Sequence, residues 1–212
     1  MRTEADEFWA GKFGDEYTQR NQVDPGNVRE FFERALTGTE DSPISTVLEL
    51  GANVGHNLAF LNTWLPAMTT GVEVNVAACS QLSAVADRAY CGSIVDMPRL
   101  GLFDLVFTKG VLIHIPPEDL PAVYAAIHDH AGRWVLVAEY YSRLPREIEY
   151  RGHTGKLWAR DFAGELMDTY PDLKLVDYGF VYHRDRYPQD DLSWFLMERV
   201  PLLEANPDMG VR

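Results

Sequence analysis

Two groups of residues in this sequence have the types and spacing to do chemistry: a glycine turn followed by an acid, and a histidine followed by a run of cations. The turn is Gly51-Ala52-Asn53-Val54-Gly55, entered from the apolar run Val47-Leu48-Glu49-Leu50. Gly51 has no Cβ, so the chain can turn sharply there and come close to a ligand. Gly55 lets the start of a following helix pack close to the strand. Glu73 lies 22 residues beyond Gly51, at the end of Gly71-Val72-Glu73-Val74, where an acid in an open α/β sheet accepts both hydroxyls of a ribose. Ser93 and Ile94, in Cys91-Gly92-Ser93-Ile94-Val95-Asp96, are spaced to touch the edge and face of a base, and Lys109-Gly110 closes the next apolar run. Just beyond it, His114 is a candidate general base. Its alternative is a histidine packed under the helix that follows.

The cations are Arg143, Arg146, Arg151, Lys156 and Arg160, which face only Glu147 and Glu149 in that window. Arginine forks suit tetrahedral oxyanions, so Arg151, Lys156 and Arg160 are candidates for holding an anionic acceptor. A solvated face that pairs with acidic neighbours would have the same composition. Tyr140, Tyr141, Tyr150 and His183 add hydroxyl and imidazole donors.

These residues need a frame, and the order of elements supplies one. From Thr46 on, β-rich runs alternate with helical patterns, the sign of parallel strands joined by crossover helices. The expected strands are Thr46–Leu50, Thr70–Val74, Tyr90–Ile94, Phe103–Thr108 and Trp134–Glu139, with helices near Gly55–Trp64, Val76–Arg88 and Glu118–His130. Pro116 and Pro117 suit the start of the last. Residues 140–158 contain Pro145, Gly152 and Gly155 without a period and read as a long loop, of the kind that often forms a lid. A helix near Asp161–Tyr170 and two strands, Lys174–Tyr182 and Leu192–Arg199, complete an expected doubly wound, mostly parallel α/β sheet of seven strands. Ahead of the sheet, Glu4–Gln19 and Asn27–Leu36 read as two helices.

At 212 residues and 46% hydrophobic content the chain is expected to form one domain, with residues 1–40 as a helical cap and 140–160 as a lid over the acceptor. A formal net charge of −13 argues against nucleic acid and against an anionic membrane surface. The apolar run Leu102–Ile113 is broken by Asp104 and Lys109 and falls short of the roughly 20 residues a membrane span needs. The acidic N-terminus lacks the apolar stretch of a secretion signal, so a cytoplasmic location is expected. Cys79 and Cys91, the only cysteines, are too few for a disulfide framework and read as buried thiols. No His and carboxylate set stands at metal-ligand spacing. The sequence leaves the oligomeric state open.

Taken in order, the E-x-G-x-x-x-G loop, the acid after the second strand, the turn at Gly92-Ser93-Ile94 and the F-D-x-V…V-L-x-H-I segment resemble class I S-adenosylmethionine (SAM)-dependent methyltransferases over residues 40–140. A dinucleotide-binding oxidoreductase is the competing class, but its G-x-G-x-x-G pattern wants glycine where Asn53 stands. The flanking segments Phe8-Trp9-Ala10-Gly11-Lys12-Phe13-Gly14-Asp15, Ala138-Glu139-Tyr140-Tyr141, Tyr150-Arg151-Gly152-His153, Arg160-Asp161-Phe162 and Asp177-Tyr178-Gly179-Phe180 are similar to methyltransferases associated with pseudaminic acid biosynthesis. A phosphonate O-methyltransferase of dehydrophos-type antibiotic biosynthesis is similar to that group.

The resemblance implies SAM as cofactor, bound by Tyr17, Arg20 and Asn21, by Gly51, Ala52, Asn53 and Gly55, by Glu73 and Val74, by Ser93 and Ile94, and by Lys109 and Gly110. Tyr140, Tyr141, Arg151, Lys156, Arg160 and His183 are then the expected acceptor contacts, and His114, Lys156 and Arg160 the catalytic set. The expected reaction is O-methylation of a small anionic acceptor, a phosphonate oxygen first and a nonulosonic-acid or other sugar hydroxyl second. A SAM-binding protein without catalysis is a third reading. If a hydroxyl is methylated with His114 as base, the rate is expected to fall below pH ~6.5, where an unperturbed histidine titrates.

Overall fold

The computed structural model describes residues 3–201. Three helices come first: α1 (Glu4–Ala10), α2 (Lys12–Arg20) and α3 (Pro25–Ala35). The alternating part follows as β1 (Thr46–Leu50), α4 (His56–Trp64), β2 (Met68–Glu73), α5 (Val76–Leu82), β3 (Arg88–Cys91), β4 (Phe103–Lys109), α6 (Leu120–His130) and β5 (Ala131–Glu139). A two-stranded pair, β6 (Arg146–Glu147) and β7 (Trp158–Ala159), leads to α7 (Phe162–Thr169), β8 (Leu173–Val181) and β9 (Leu192–Arg199).

Seven strands form one sheet in the order β3-β2-β1-β4-β5-β9-β8. The first five run parallel; β9 is antiparallel to β5, and β8 to β9. This is the doubly wound, mostly parallel sheet expected from the sequence. Strand order reverses between β1 and β4, so the chain diverges there and leaves a crevice beyond the carboxyl ends of the two strands. Both faces of the sheet are covered. Val47, Phe107 and Leu136 pack against Phe31, Phe32, Leu58 and Leu61 on one side; Leu48, Leu50, Val106 and Val135 pack against Leu120, Val123, Ile127, Phe162 and Leu166 on the other. Two-sided burial explains why β1 and β4 read as nearly continuous apolar runs rather than as alternating ones.

Several boundaries differ from expectation, each for a local reason. The single helix expected over Glu4–Gln19 is two, because Gly11 is extended (φ −96°, ψ −160°) and ends one while starting the other. Thr3 and Asp6 form a capping box that fixes the start of α1. Asp24 caps α3 through the N–H groups of Gly26 and Asn27, and Pro25 occupies its first turn. Helix α5 stops at Leu82 rather than Arg88, since Asp87 turns back to accept from the N–H and hydroxyl of Thr69 at the start of β2.

The two cysteines are not free thiols. Cys79 on α5 and Cys91 at the end of β3 form a disulfide, with Cα atoms 5.6 Å apart; Cys79 is buried and Cys91 exposed. They are neighbours because α5 and β3 both pack on β2, a juxtaposition that their spacing of 12 residues does not reveal. Among the described residues no helix is long and apolar enough to cross a membrane.

Candidate active site

A cavity of about 740 Å³ opens at the carboxyl ends of β1, β2 and β4, roofed by α1, α2 and the segment after β5. Its floor is the turn after β1. Gly51, Asn53 and Gly55 all have positive φ (75°, 48° and 87°). A Cβ on Gly51 would lie 2.6 Å from Cγ2 of Val111, so only glycine allows the β1 and β4 loops to meet. The N–H groups of Gly51 and Ala52 donate to the Val72 carbonyl, both at 2.9 Å.

Glu73 closes the same corner. Its Oε2 accepts from the Asn53 N–H (2.8 Å) and its Oε1 from the Asn75 N–H (2.7 Å), so one carboxylate ties the turn to the start of α5. Burial pushes its pKa up, and these N–H groups pull against that. Asn75 in turn donates to Asp15 (2.8 Å) and to the Trp9 carbonyl (3.2 Å), while Thr18 donates to Asn53 (3.0 Å), so α1 and α2 are docked on the two loops.

On the opposite wall, His114 sits in the 3-10 turn Leu112–His114 that follows β4. Its ring lies 4.6 Å from that of Trp9 and 4.9 Å from that of Tyr150. Nδ1 is 2.7 Å from the Lys156 carbonyl oxygen. A carbonyl only accepts, so Nδ1 carries the proton and Nε2 the free lone pair. Burial among rings lowers the His114 pKa to about 4, against the pull of that carbonyl. The histidine is therefore both packed and part of the cavity wall, neutral at neutral pH.

Of the residues singled out in the sequence, the cavity wall contains Tyr17 and Asn21; Gly51, Ala52 and Asn53; Glu73 and Val74; Ile94; Lys109 and Gly110; and His114, Tyr140 and Arg151. Seven others lie outside it. Arg20 stacks over Phe13 and Tyr17 (4.9 and 5.5 Å). Gly55 faces Leu82, and Ser93 is buried, accepting the Val95 N–H at 3.0 Å so that Ile94 and Val95 face inward. Tyr141 lies on Phe195, at the surface. His183 pairs with Asp191 (2.9 Å). The Lys156 ammonium meets Glu4 at 2.7 Å over the Phe8 ring, and Arg160 meets Glu165 at 2.9 Å. The expected convergence of three cations on the cavity is thus reduced to Arg151, because the acidic surroundings satisfy the other two.

Residues that sequence reasoning passed over complete the wall. Glu49 is 2% exposed; its Oε1 accepts from Asn57 (2.6 Å), while Oε2 has no partner among the described residues. Burial pushes its pKa up to about 8, and burial lowers that of Lys109 on the neighbouring strand β4, the charge of each opposing the other's shift. The one signal for Glu49 was its place as the acid of E-x-G. Trp9 and Asp190 also line the cavity, beside Tyr150, one of the hydroxyl donors expected from the sequence. Asp190 arrives on the β8–β9 connection, which is anchored to α3 by Asn27 donating to the Pro188 carbonyl (2.6 Å) and Gln189 donating to the Asn27 carbonyl (2.9 Å). No local pattern marks contacts between segments so far apart.

The chain is similar in structure to magnesium protoporphyrin IX methyltransferase of Synechocystis PCC 6803 with bound SAM, at a TM-score of 0.67 and 12% identity over 93% of this chain and 98% of that one. The fold is that of the class I SAM-dependent methyltransferases. Other proteins with this methyltransferase fold include the 1,6-didemethyltoxoflavin-N1-methyltransferase of Burkholderia thailandensis (TM-score 0.65, 15% identity, 84% of this chain and 80% of that one). Another is CalS10, an amino pentose methyltransferase of Micromonospora echinaspora (TM-score 0.62, 11% identity, 90% and 97%). No family model and no curated protein matches the sequence.

Proposed function

We propose that this protein is a SAM-dependent O-methyltransferase that methylates a hydroxyl of a small acid, with His114 as the base. One observation carries the reading: His114 is neutral, its tautomer is fixed by the Lys156 carbonyl, and it lines the same cavity as the Gly51 turn and Glu73. The cofactor assignment is supported by the methyltransferase fold and by three features of the cavity. Glu73 stands where ribose hydroxyls would be held, Ile94 and Val95 offer apolar contact to a base, and the unpartnered Oε2 of Glu49, in the same cavity as Lys109, suits an amino-acid group bearing both charges. When bound, SAM supplies an electrophilic methyl carbon on a sulfonium.

The protein's share is then to align an acceptor, exclude water and take a proton. Nε2 of His114 accepts the hydroxyl proton. Arg151 holds the acid group, and the rings of Trp9, Tyr17, Tyr140 and Tyr150 keep water out. Transfer to a phosphonate oxygen is the second reading. That oxygen is already ionised and needs cations rather than a base, and of the cations expected for it Lys156 and Arg160 are engaged by Glu4 and Glu165.

The test is product analysis over a panel of hydroxy acids, phosphonates, amines and sugar alcohols. The expected product is a methyl ether of a hydroxy acid, and His114→Ala should lower kcat by about 10²–10⁴-fold with S-adenosylhomocysteine (SAH) affinity unchanged. Phosphonate esters formed equally fast by His114→Ala would establish the second reading instead. An N-methyl product would rule out both. SAH binding without turnover on any acceptor would mean a binding protein, and no calorimetric signal with SAH would remove the cofactor itself.

A further inference from the structure

Glu139 ends β5 at the same edge of the sheet, 2% exposed, and does not line the cavity. A carboxylate so placed costs free energy unless donors meet it. Most are backbone: the Val111 N–H lies 3.1 and 3.0 Å from its two oxygens and the Ile113 N–H 3.3 Å from Oε2, with the Leu112 N–H and the Thr108 hydroxyl also acting on the carboxylate. The segment held in this way begins at Lys109 and Gly110, which line the cavity, and ends at His114. Gly110 is pinned separately, donating to the Ala138 carbonyl at 2.9 Å. On the other side of the segment, the Val111 side chain fills the space that a Cβ on Gly51 would need. One buried carboxylate therefore contacts the segment that touches both halves of the site.

We propose that Glu139 is a positioning residue: by gripping the N–H groups of Val111 and Ile113 it sets His114 and, through Val111, the Gly51 turn at a fixed separation. The proposal deepens the reading of His114 as the base and rests on it for its kinetic arm. Glu139 touches neither acceptor nor cofactor, and its effect passes wholly through the turn. A leucine or a glutamine of similar volume would fill the space, but neither presents two acceptor oxygens to the N–H groups of Val111 and Ile113.

The experiment is Glu139→Gln, which turns one acceptor into an NH2 group facing a backbone N–H. Methyl transfer to the hydroxy acid of the panel, SAH affinity by calorimetry and the thermal midpoint are read on the same protein. The expected result is a kcat lower by about 10- to 100-fold, the scale of a misplacement near 1 Å, with SAH bound several-fold more weakly. Because the two residues act as a unit, the double variant with His114→Ala should be within about twofold of His114→Ala alone. A folded Glu139→Gln protein with unchanged kcat and SAH affinity overturns the proposal, as does a double variant whose loss is the product of the single losses. If Glu139→Gln does not fold, Val111→Ala loosens the other contact of the turn; weaker SAH binding supports the proposal and unchanged binding overturns it. If His114→Ala keeps full rate, the base reading fails by itself, and SAH affinity in Glu139→Gln and Val111→Ala then decides the positioning role, lost affinity supporting it and wild-type affinity overturning it.

Discussion

The two walls of the cavity are built in different ways. The floor after β1 and β2 is made of backbone: three positive-φ residues, two N–H groups on the Val72 carbonyl, and one carboxylate bridging Asn53 and Asn75. The facing wall is made of side chains brought from far apart in the chain, with His114 packed against Trp9 and Tyr150 and its tautomer set by the carbonyl of Lys156. A backbone site tolerates few residue types and is written in consecutive positions. A side-chain site depends on which of several chemically similar groups the fold turns inward, and here it turned in one cation of three.

Substitutions can break this contrast at either wall. The largest effect is expected at His114: His114→Ala should cut kcat by about 10²–10⁴-fold. In the wild type the limb of the pH–rate profile should sit near the lowered histidine pKa of about 4, so that rate persists well below the pH at which an ordinary histidine titrates. A limb near 6.5 that vanishes in the variant would show that the imidazole is hydrated rather than packed. On the floor, Gly51→Ala combines a clash with Val111 and a left-handed φ. Overpacking of this kind costs about 1–3 kcal/mol, so SAH affinity should drop by about 5- to 100-fold, with little change in the far-UV spectrum.

The cations give a sharper comparison. Arg151→Ala should raise KM for an acidic acceptor by about tenfold, the value of one charge-assisted contact. Lys156→Ala and Arg160→Ala should move it by less than about threefold, since each already has a carboxylate partner outside the cavity. Equal effects from all three would restore the clamp that the sequence suggested.

A further effect concerns stability without ligand. Glu49 has its pKa raised from 4.5 to about 8 by burial, so its contribution is present below pH 4.5 and lost as pH rises toward 8. Wild-type protein should therefore lose stability relative to Glu49→Gln between pH 5 and 8, measured by urea unfolding. A difference that does not change with pH would mean that the carboxylate is ionised throughout.

Much of the fold was legible in the sequence because both of its signals are local. Apolar runs such as Val47–Leu50 and Phe103–Val106 mark strands buried on both faces, and glycine with asparagine after β1 marks a backbone that must leave the right-handed region. The break at Gly11 was missed because a lone glycine inside a helical pattern is tolerated, whereas here Gly11 is extended and α1 and α2 each make their own contact with Asn75 and Asn53. The disulfide was missed because proximity of α5 and β3 follows from both packing on β2. Glu49 stands in the E-x-G motif, but nothing local tells a core-facing acid from a cavity-facing one.

What the sequence determined by itself, then, is the alternation of strands and helices, the turn after β1 and the acid that answers it, because backbone sterics and side-chain periodicity act between near neighbours. Which histidine nitrogen is free, which cation faces inward and which carboxylates lie dry at the strand ends were decided only in three dimensions. Those properties come from desolvation and from partners such as Lys156 for His114, Glu165 for Arg160 and Val111 for Glu139, and these exist only once the sheet has closed around them.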